Sequence, residues 1–294
     1  MTKYKIFSIL IILTLWGCGN KPHNPEKVNA LPPIFPDYVD VTIPAGIAPL
    51  NFAVVSDNGE VERVDVTVKG ADGYKLHTNG KYAKFDIDKW HKLTEENKGK
   101  TLTLTVCAKI DGKWIQYGDF PINISNYPLD QWGLTYRRIA PGYEVYSKMG
   151  IYQRDLGNFE EFPIIENTMT DGQCYNCHTS NRTNPKDFVF HVRGEHGATM
   201  VSKDGNCTWL KASNDTLGGS MVYPYWHPSG RYCAFSTNQT RQGFHISGQK
   251  RLEVFDMSSD VLVYDTEKNE ILLDSLLNTN AWSENTPSFS PDGK

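Results

Sequence analysis

The sequence lacks an excess of positive charge. Its 294 residues include 30 lysines and arginines against 34 aspartates and glutamates, for a formal net charge of −4. Electrostatic binding of nucleic acid needs a basic surface, so nucleic acid is not an expected partner. The 39% of hydrophobic and 12% of aromatic residues exclude intrinsic disorder and suffice for more than one hydrophobic core.

Long hydrophobic runs are also missing beyond the N-terminal region. Ile6 to Leu15 is an uncharged apolar run of ten residues that follows Lys3 and Lys5. As a helix it would cover about 15 Å, roughly half of the hydrocarbon core of a bilayer. The run therefore predicts an export signal rather than a spanning helix. No later segment approaches transmembrane length, which excludes a polytopic membrane protein.

The export signal ends at Leu15-Trp16-Gly17-Cys18, which resembles the lipobox of bacterial lipoproteins. The resemblance implies that residues 1–17 are a signal peptide and that Cys18 is lipidated as the first mature residue. A plain secretory peptide cleaved nearby is the alternative. Residues 18–36 are rich in proline and asparagine and are expected to form an extended tether. The expected location is the cell envelope, with a lipid anchor in the outer membrane and the protein facing the periplasm.

Residues 37–127 alternate apolar and polar side chains in short segments, which predicts an immunoglobulin-like β-sandwich. One helix is predicted from Asp88 to Asn97, with Asp88 as its N-cap. Cys107 is expected to be a buried small side chain in a strand. The predicted strands are 39–43, 50–56, 63–70, 101–110 and 113–125, and the predicted turns are 56–59, 71–73, 78–80 and 111–112.

The sequence Cys174-Tyr175-Asn176-Cys177-His178 is the attachment signature of c-type haem. The two thiols add to the haem vinyl groups, and the adjacent imidazole binds the iron. With six cysteines and eight histidines, about 0.003 such pentads are expected by chance. The motif predicts one covalent haem c. The alternatives are a structural zinc site completed by Cys207 and His191, and thiol or disulfide chemistry.

Two histidines follow the motif closely enough to supply a second iron ligand. His191 is the first choice, on the opposite face of a predicted strand from Phe188, Phe190 and Val192. His196, in the turn after that strand, is the second. The other candidates are Met169 and Met200 as weaker ligands and Arg193, either as the partner of a haem propionate or as a solvated side chain.

The C-terminal region contains an internal repeat. Residues 223–231 recur as residues 286–294, each ending in Pro-Ser/Asp-Gly-Arg/Lys. Proline fixes φ and glycine reverses the chain, so the motif predicts a hairpin corner. It resembles the Pro-Asp-Gly repeat of TolB-like β-propellers, which implies a partial propeller of the six-bladed type over 198–294. Such a corner leads into a strand, so the chain is expected to be part of a longer protein.

The order of lipobox, haem motif and corner repeat resembles exported TolB-like propeller lipoproteins with a single c-type haem motif. The resemblance implies a mainly β chain in which an immunoglobulin-like sandwich, a haem-bearing connecting segment (128–197) and the first propeller blades follow one another. Cys207 and Cys233 are expected either to bridge blade strands or to remain buried thiols.

The expected function is electron relay or redox sensing, with the propeller as a platform for other envelope or redox proteins. The alternative is a non-enzymatic scaffold whose Cys-x-x-Cys site is structural, held by zinc or a disulfide. The sequence contains no Gly-x-Ser-x-Gly nucleophile elbow, so nothing in it favours an enzyme.

Overall fold

The computed structural model is mainly β, as predicted, with 52% strand against 5% helix, and its sheets do not close into a barrel within the described residues. No helix in those residues is both long and apolar enough to cross a bilayer. The predicted signal peptide and Cys18 lie outside the described residues. The structure describes residues 21–129, 133–139, 148–182, 184–211 and 219–294.

The chain divides into two compact units. Unit 1 takes the described residues of Met1–Asp130 together with Leu156–Asn158, and unit 2 takes those of Gln131–Asp155 and Phe159–Lys294. Unit 1 contains one helix, α1 (Ile87–Glu96). Its strands are β1 (Glu26–Lys27), β2 (Ile34–Phe35), β3 (Thr42–Ala45), β4 (Ala53–Val54), β5 (Val61–Lys69), β6 (Lys75–Gly80), β7 (Thr101–Ile110), β8 (Lys113–Gln116) and β9 (Phe120–Pro128).

Strand β7 is the centre of the main sheet of unit 1. It pairs with β5 along one edge and with β8 and β9 along the other, while β6, β1 and β3 extend the sheet outward. Alternate residues of the central strands are fully buried, as expected for a sheet with one face in the core and the other face toward solvent. Each such side chain stabilises the fold by about 1.5–3 kcal/mol. The buried residues of β5 and β7 include Val64, Val66, Val68, Leu102, Leu104 and Val106.

Helix α1 corrects the predicted N-cap. The helix begins at Ile87, and the carboxylate of Asp86 accepts a hydrogen bond from the backbone N–H of Lys89 at 3.0 Å. Asp88 instead lies in the first turn, where a negative charge faces the positive end of the helix dipole. The buried face of α1 carries Trp90 and Leu93 into the core of unit 1.

The predicted turn at 78–80 is also wrong. β6 continues through these residues because Thr78 and Asn79 pair with Val66 and Asp65 of β5. The amide of Asn79 donates to the carboxylate of Asp65 at 2.9 Å, which gives this polar stretch a cross-strand partner. The turn at Asp111-Gly112 is confirmed, with φ of +46° and +79°.

Unit 2 contains three antiparallel sheets in which each strand pairs with the next along the chain. The first sheet comprises β10 (Gly133–Ile139), β11 (Met149–Asp155) and β12 (Phe162–Glu166). The motif sheet comprises β13 (Tyr175–Asn181), β14 (Asn184–Val192), β15 (Ala198–Lys203) and β16 (Asn206–Leu210). The corner sheet comprises β17 (Ser220–Trp226), β18 (Tyr232–Phe244), β19 (Leu252–Asp265) and β20 (Glu270–Leu272).

The motif sheet is covered on both faces, and its residues alternate between two cores. Phe188 and Phe190 pack with Met149 of the first sheet, whereas Val189 packs with Met221 of the corner sheet. Neighbouring residues of β14 therefore belong to different cores. The sheet also runs through residues 197 and 198, where the sequence predicted the boundary between the connecting segment and the propeller.

The two copies of the repeat form matching corners. In the first, the N–H of Gly230 donates to the carbonyl of His227 at 2.8 Å, and Gly230 has a φ of +72°. In the second, the N–H of Gly293 donates to the carbonyl of Ser290 at 2.9 Å, with a φ of +73° at Gly293. These left-handed conformations suit glycine, which explains its place in the motif. The predicted hairpin corner is therefore present between β17 and β18.

Candidate haem-attachment site

The haem motif lies on a β-bulge at the start of β13. Asn176 pairs with His191 and Thr179 pairs with Val189, so Cys177 and His178 together lie opposite Phe190. Cys177 has a φ of +50°, in the left-handed region that few non-glycine residues adopt. A bulge of this kind interrupts the strict alternation of side chains along the strand. The chain therefore turns at the last two residues of the motif.

Both motif thiols are unpaired and partly exposed. Cys174 and Cys177 are free cysteines of intermediate burial, so the structure does not contain the disulfide between them that the sequence left as an alternative. Cys174 also packs against the core that contains Tyr175 and Phe190. Both thiols are therefore accessible to covalent chemistry, while the backbone that carries them is held in place.

His178 faces the first sheet. Its Nε2 atom is joined to the Thr135 hydroxyl of β10 by a 2.9 Å hydrogen bond, and the same hydroxyl is hydrogen-bonded to Ser180. Burial lowers the pKa of His178, and the nearby guanidinium of Arg137 lowers that pKa further. The imidazole is therefore neutral at neutral pH, which is the form that binds a metal ion.

His191 faces the corner sheet. It is 5% exposed, and its Nδ1 atom lies 2.9 Å from the hydroxyl of Thr199. That hydroxyl donates its only proton to the carbonyl of Met221 at 2.8 Å, so Nδ1 of His191 must be the donor to Thr199. Burial, with a smaller effect from Arg193, lowers the pKa of His191 to about 4.

His178 and His191 therefore lie on opposite faces of the motif sheet. This arrangement differs from the prediction that His191 would share one iron with His178. The sequence placed His191 correctly on the face opposite Phe190, but the bulge sends His178 toward Thr135 of the first sheet. The structure does not bring these two imidazoles together.

The turn that carries Arg193 and His196 lies beside Cys174. The N–H of Arg193 donates to the carbonyl of Cys174 at 2.8 Å, and Gly194 is a neighbour of Gln173. Both Arg193 and His196 are exposed. Counting back from the Asn181–Asn184 pair at the connecting turn would have placed His191 opposite Cys174, whereas the shifts in register along β13 and β14 place Arg193 there. The structure thus brings the second-choice histidine close to the motif.

The two methionine candidates for the second iron ligand differ in their exposure to solvent. Met169 is 70% exposed at the end of a short 3₁₀ helix, Asn167–Met169, five residues before Cys174. Met200 is 3% exposed and belongs to the core shared with the first sheet. Burial therefore removes Met200 from the surface on which the motif thiols are accessible.

The zinc alternative does not assemble within the described ranges. These contain no group of three or more histidine, cysteine, aspartate or glutamate side chains able to hold a metal ion. Cys207 is exposed on β16, while His191 is buried on β14. Cys207 and Cys233 are both free, so the bridge offered as one alternative is absent; Cys233 is the buried thiol of the other alternative, and burial raises its pKa, whereas Cys207 is exposed.

No protein-family model matches the chain, and a search of curated proteins found no significant match.

Proposed function

We propose that the protein is an exported lipoprotein that binds one covalent haem c through Cys174, Cys177 and His178 and serves in electron relay or redox sensing. The observation that carries the proposal is the state of these three side chains at one bulge. Both thiols are free and accessible, and the imidazole is neutral. When bound, a haem supplies a one-electron redox couple.

The donor set fits a haem better than a disulfide or a zinc ion. Covalent attachment needs two thiols with two intervening residues and a following histidine, and every member of that set is present. Binding of iron by Nε2 of His178 would replace its hydrogen bond to the Thr135 hydroxyl. Thr135 would retain its hydrogen bond to Ser180, so its hydroxyl would not be left unsatisfied.

His196 is the better candidate for the second iron ligand. It lies on the exposed turn next to Cys174, whereas His191 is buried on the opposite face from His178. Arg193, also exposed in this turn, would hold a propionate with its bidentate guanidinium. This choice revises the order that the sequence suggested.

The proposed architecture is an immunoglobulin-like domain followed by consecutive blades of a TolB-like propeller. Support comes from a bulge that recurs in unit 2. In β17, Tyr223 has a φ of +48°, and the pairing again skips two residues against one, opposite Phe235. Thr286, in the second copy of the repeat, also has a φ of +48°. Cys177 occupies the corresponding place in the motif sheet, as consecutive blades of one design would require.

The proposed location and partners follow from the sequence. A lipid on Cys18 would hold the protein at the outer membrane, facing the periplasm, where c-type haem is attached. The blades would offer edges and corners to other envelope or redox proteins. This platform would place a haem within reach of a protein partner.

The test is haem attachment in a host that carries the cytochrome c maturation machinery. The exported parent should give a pyridine haemochrome spectrum and a haem stain that survives a denaturing gel. Cys174→Ser with Cys177→Ser should abolish both signals, whereas the matched control Cys207→Ser should keep them. An exported parent with no Soret band would refute the proposal.

A scaffold without haem is the second candidate, and the recurrence of the bulge favours it. Tyr223 lies at the same kind of bulge as Cys177 without any cysteine, so the bulge serves the fold whether or not a haem binds. Metal analysis of the same preparations separates the two. An exported, folded protein that carries no iron and no haem would support the scaffold.

A further inference from the structure

We propose that the hairpin between β18 and β19 docks on the surface of an anionic phospholipid bilayer. The two strands pair with each other from Tyr232 to Phe244, but β17 accompanies β18 only as far as Asn238, and β20 ends at its pairing with Val263. Residues 239–258 thus form a two-stranded ribbon, here called the arm, that extends about 20 Å past the sheet. Within the described residues no third strand pairs with it.

The end of the arm exposes large apolar side chains. Phe244 is 75% exposed and Ile246 is fully exposed, at 100%. Phe244 pairs with Leu252, and Gln242 pairs with Val254, so Phe244, Leu252 and Val254 share one face of the ribbon. A two-stranded ribbon in water gains little from presenting such a face to solvent. The exposed apolar side chains therefore indicate that a lipid surface or another molecule covers this end of the arm.

The charges around this apolar end identify the occupant. Residues 241–251, here called the arm tip, include Arg241, Lys250 and Arg251 and contain no aspartate or glutamate. The nearest acid, Glu253, lies 3.1 Å from His245. All three cations are exposed, although the whole chain has a net charge of −4. The basic tip is therefore a local exception within an acidic protein.

Exposed apolar side chains flanked by cations suit the interface of an anionic bilayer. Phenylalanine and isoleucine enter the region between headgroups and acyl chains, and long basic side chains reach the phosphates. Each lysine or arginine near such a surface adds attraction that disappears on neutral lipid. A protein partner would not require a tip whose three cations outnumber the one acid paired across it, Glu253. The observation favours a lipid surface.

The experiment uses the mature chain, residues 18–294 with Cys18→Ala, which has neither the apolar export signal nor the acylation site, so the arm is measured without the proposed anchor. Vesicles of phosphatidylcholine with phosphatidylglycerol should bind this protein, and vesicles of phosphatidylcholine alone should not. Replacing Arg241, Lys250 and Arg251 by glutamine should weaken binding about 100-fold. The matched control replaces Lys75, Lys81 and Lys89, exposed in unit 1, by glutamine and should leave binding within about twofold of the parent.

The apolar contribution has its own variants. Phe244→Ser with Ile246→Ser should weaken binding at least about tenfold. In an Ile246→Trp variant, the emission of the introduced indole should shift to the blue on anionic vesicles and be quenched by brominated acyl chains. Because these side chains are exposed, none of the substitutions removes a core contact.

Three outcomes would overturn the proposal. One is equal binding to neutral and anionic vesicles. Another is an indole emission of the vesicle-bound Ile246→Trp variant that neither shifts nor responds to brominated lipid. The third is self-association in solution that Phe244→Ser abolishes, which would make a second copy the occupant. Cys174→Ser with Cys177→Ser should bind vesicles normally, so failure of the haem proposal and failure of this one are distinguishable.

Discussion

The motif sheet and the corner sheet use the same backbone device with different side chains. Cys177 and His178 lie opposite Phe190 in one, and Tyr223 and Pro224 lie opposite Phe235 in the other. In the corner sheet the residues at the bulge lead into a hairpin corner, whereas in the motif sheet they are two of the three residues proposed to bind haem. The comparison shows one backbone turn that carries a thiol and an imidazole in one sheet and a tyrosine and a proline in the other, so the turn does not depend on those side chains.

The largest expected effect compares the aromatic residues that oppose the two bulges. Phe190 is 1% exposed and Phe235 is fully buried. Phe190→Ala and Phe235→Ala should each lower the free energy of unfolding by about 3–5 kcal/mol, through lost burial and a residual cavity. Urea unfolding followed by tryptophan fluorescence measures both. A large loss for one variant with almost none for the other would break the equivalence of the two positions.

The next effect tests a titratable difference between the sheets. His191 follows Phe190 as Ser236 follows Phe235, and only the histidine titrates. Burial holds the pKa of His191 at about 4, below its ordinary value of 6.5. Between pH 6.5 and 4 the unfolded chain therefore binds a proton that the folded chain does not, and stability falls as the pH falls. The loss attributable to His191 should be about 3 kcal/mol.

His191→Asn isolates this contribution because its amide can keep a donor at the position of Nδ1 for Thr199 and has no charge to gain. The difference in unfolding free energy between parent and variant should change with pH over this window and level off above it. Urea titrations at pH 7, 5.5 and about 4 measure that difference. Parallel curves for the two proteins would contradict the assigned burial of a neutral imidazole.

The smallest effect compares two glycines with positive φ. Gly230, at the corner, has a φ of +72°, and a Cβ there would lie 2.6 Å from the Nδ2 atom of Asn181. Gly205, between β15 and β16, has a φ of +80° and open space around such a Cβ. Gly205→Ala should cost about 1–2 kcal/mol from backbone strain alone. Gly230→Ala should cost more, and thermal unfolding of the two variants would reveal an equal or reversed order if the corner were loosely packed.

Local features were predictable from the sequence because their causes are local. The corner at Gly230 and the turn at Asp111-Gly112 follow from residues that tolerate positive φ. The N-cap was misplaced by two positions because Asp86 and Asp88 carry the same signal, and only the position of the first helical residue decides between them. The mainly β class follows from alternation over many short segments.

The geometry of the candidate site was not predictable in the same way. The bulge at Cys177 depends on how two strands pair, two residues against one, and alternation alone does not reveal it. Its consequence is that His178 and His191 face different sheets. The arm was missed for a related reason, since residues 239–258 read as ordinary strand and turn until the neighbouring strands are seen to stop.

His227 makes contacts that distinguish the first copy of the repeat from the second. Its Nδ1 atom accepts from the N–H of Ser229 at 3.0 Å, so Nε2 carries the proton that it donates to the carbonyl of Gly293, also at 3.0 Å. Its ring also meets Phe289 edge-on, 4.8 Å between centres. The second copy has Ser290 at this place, which is too short to make the same reach. A chain that exchanged the two corners while folding would lose this bond, so one imidazole helps to keep near-identical segments in their proper order.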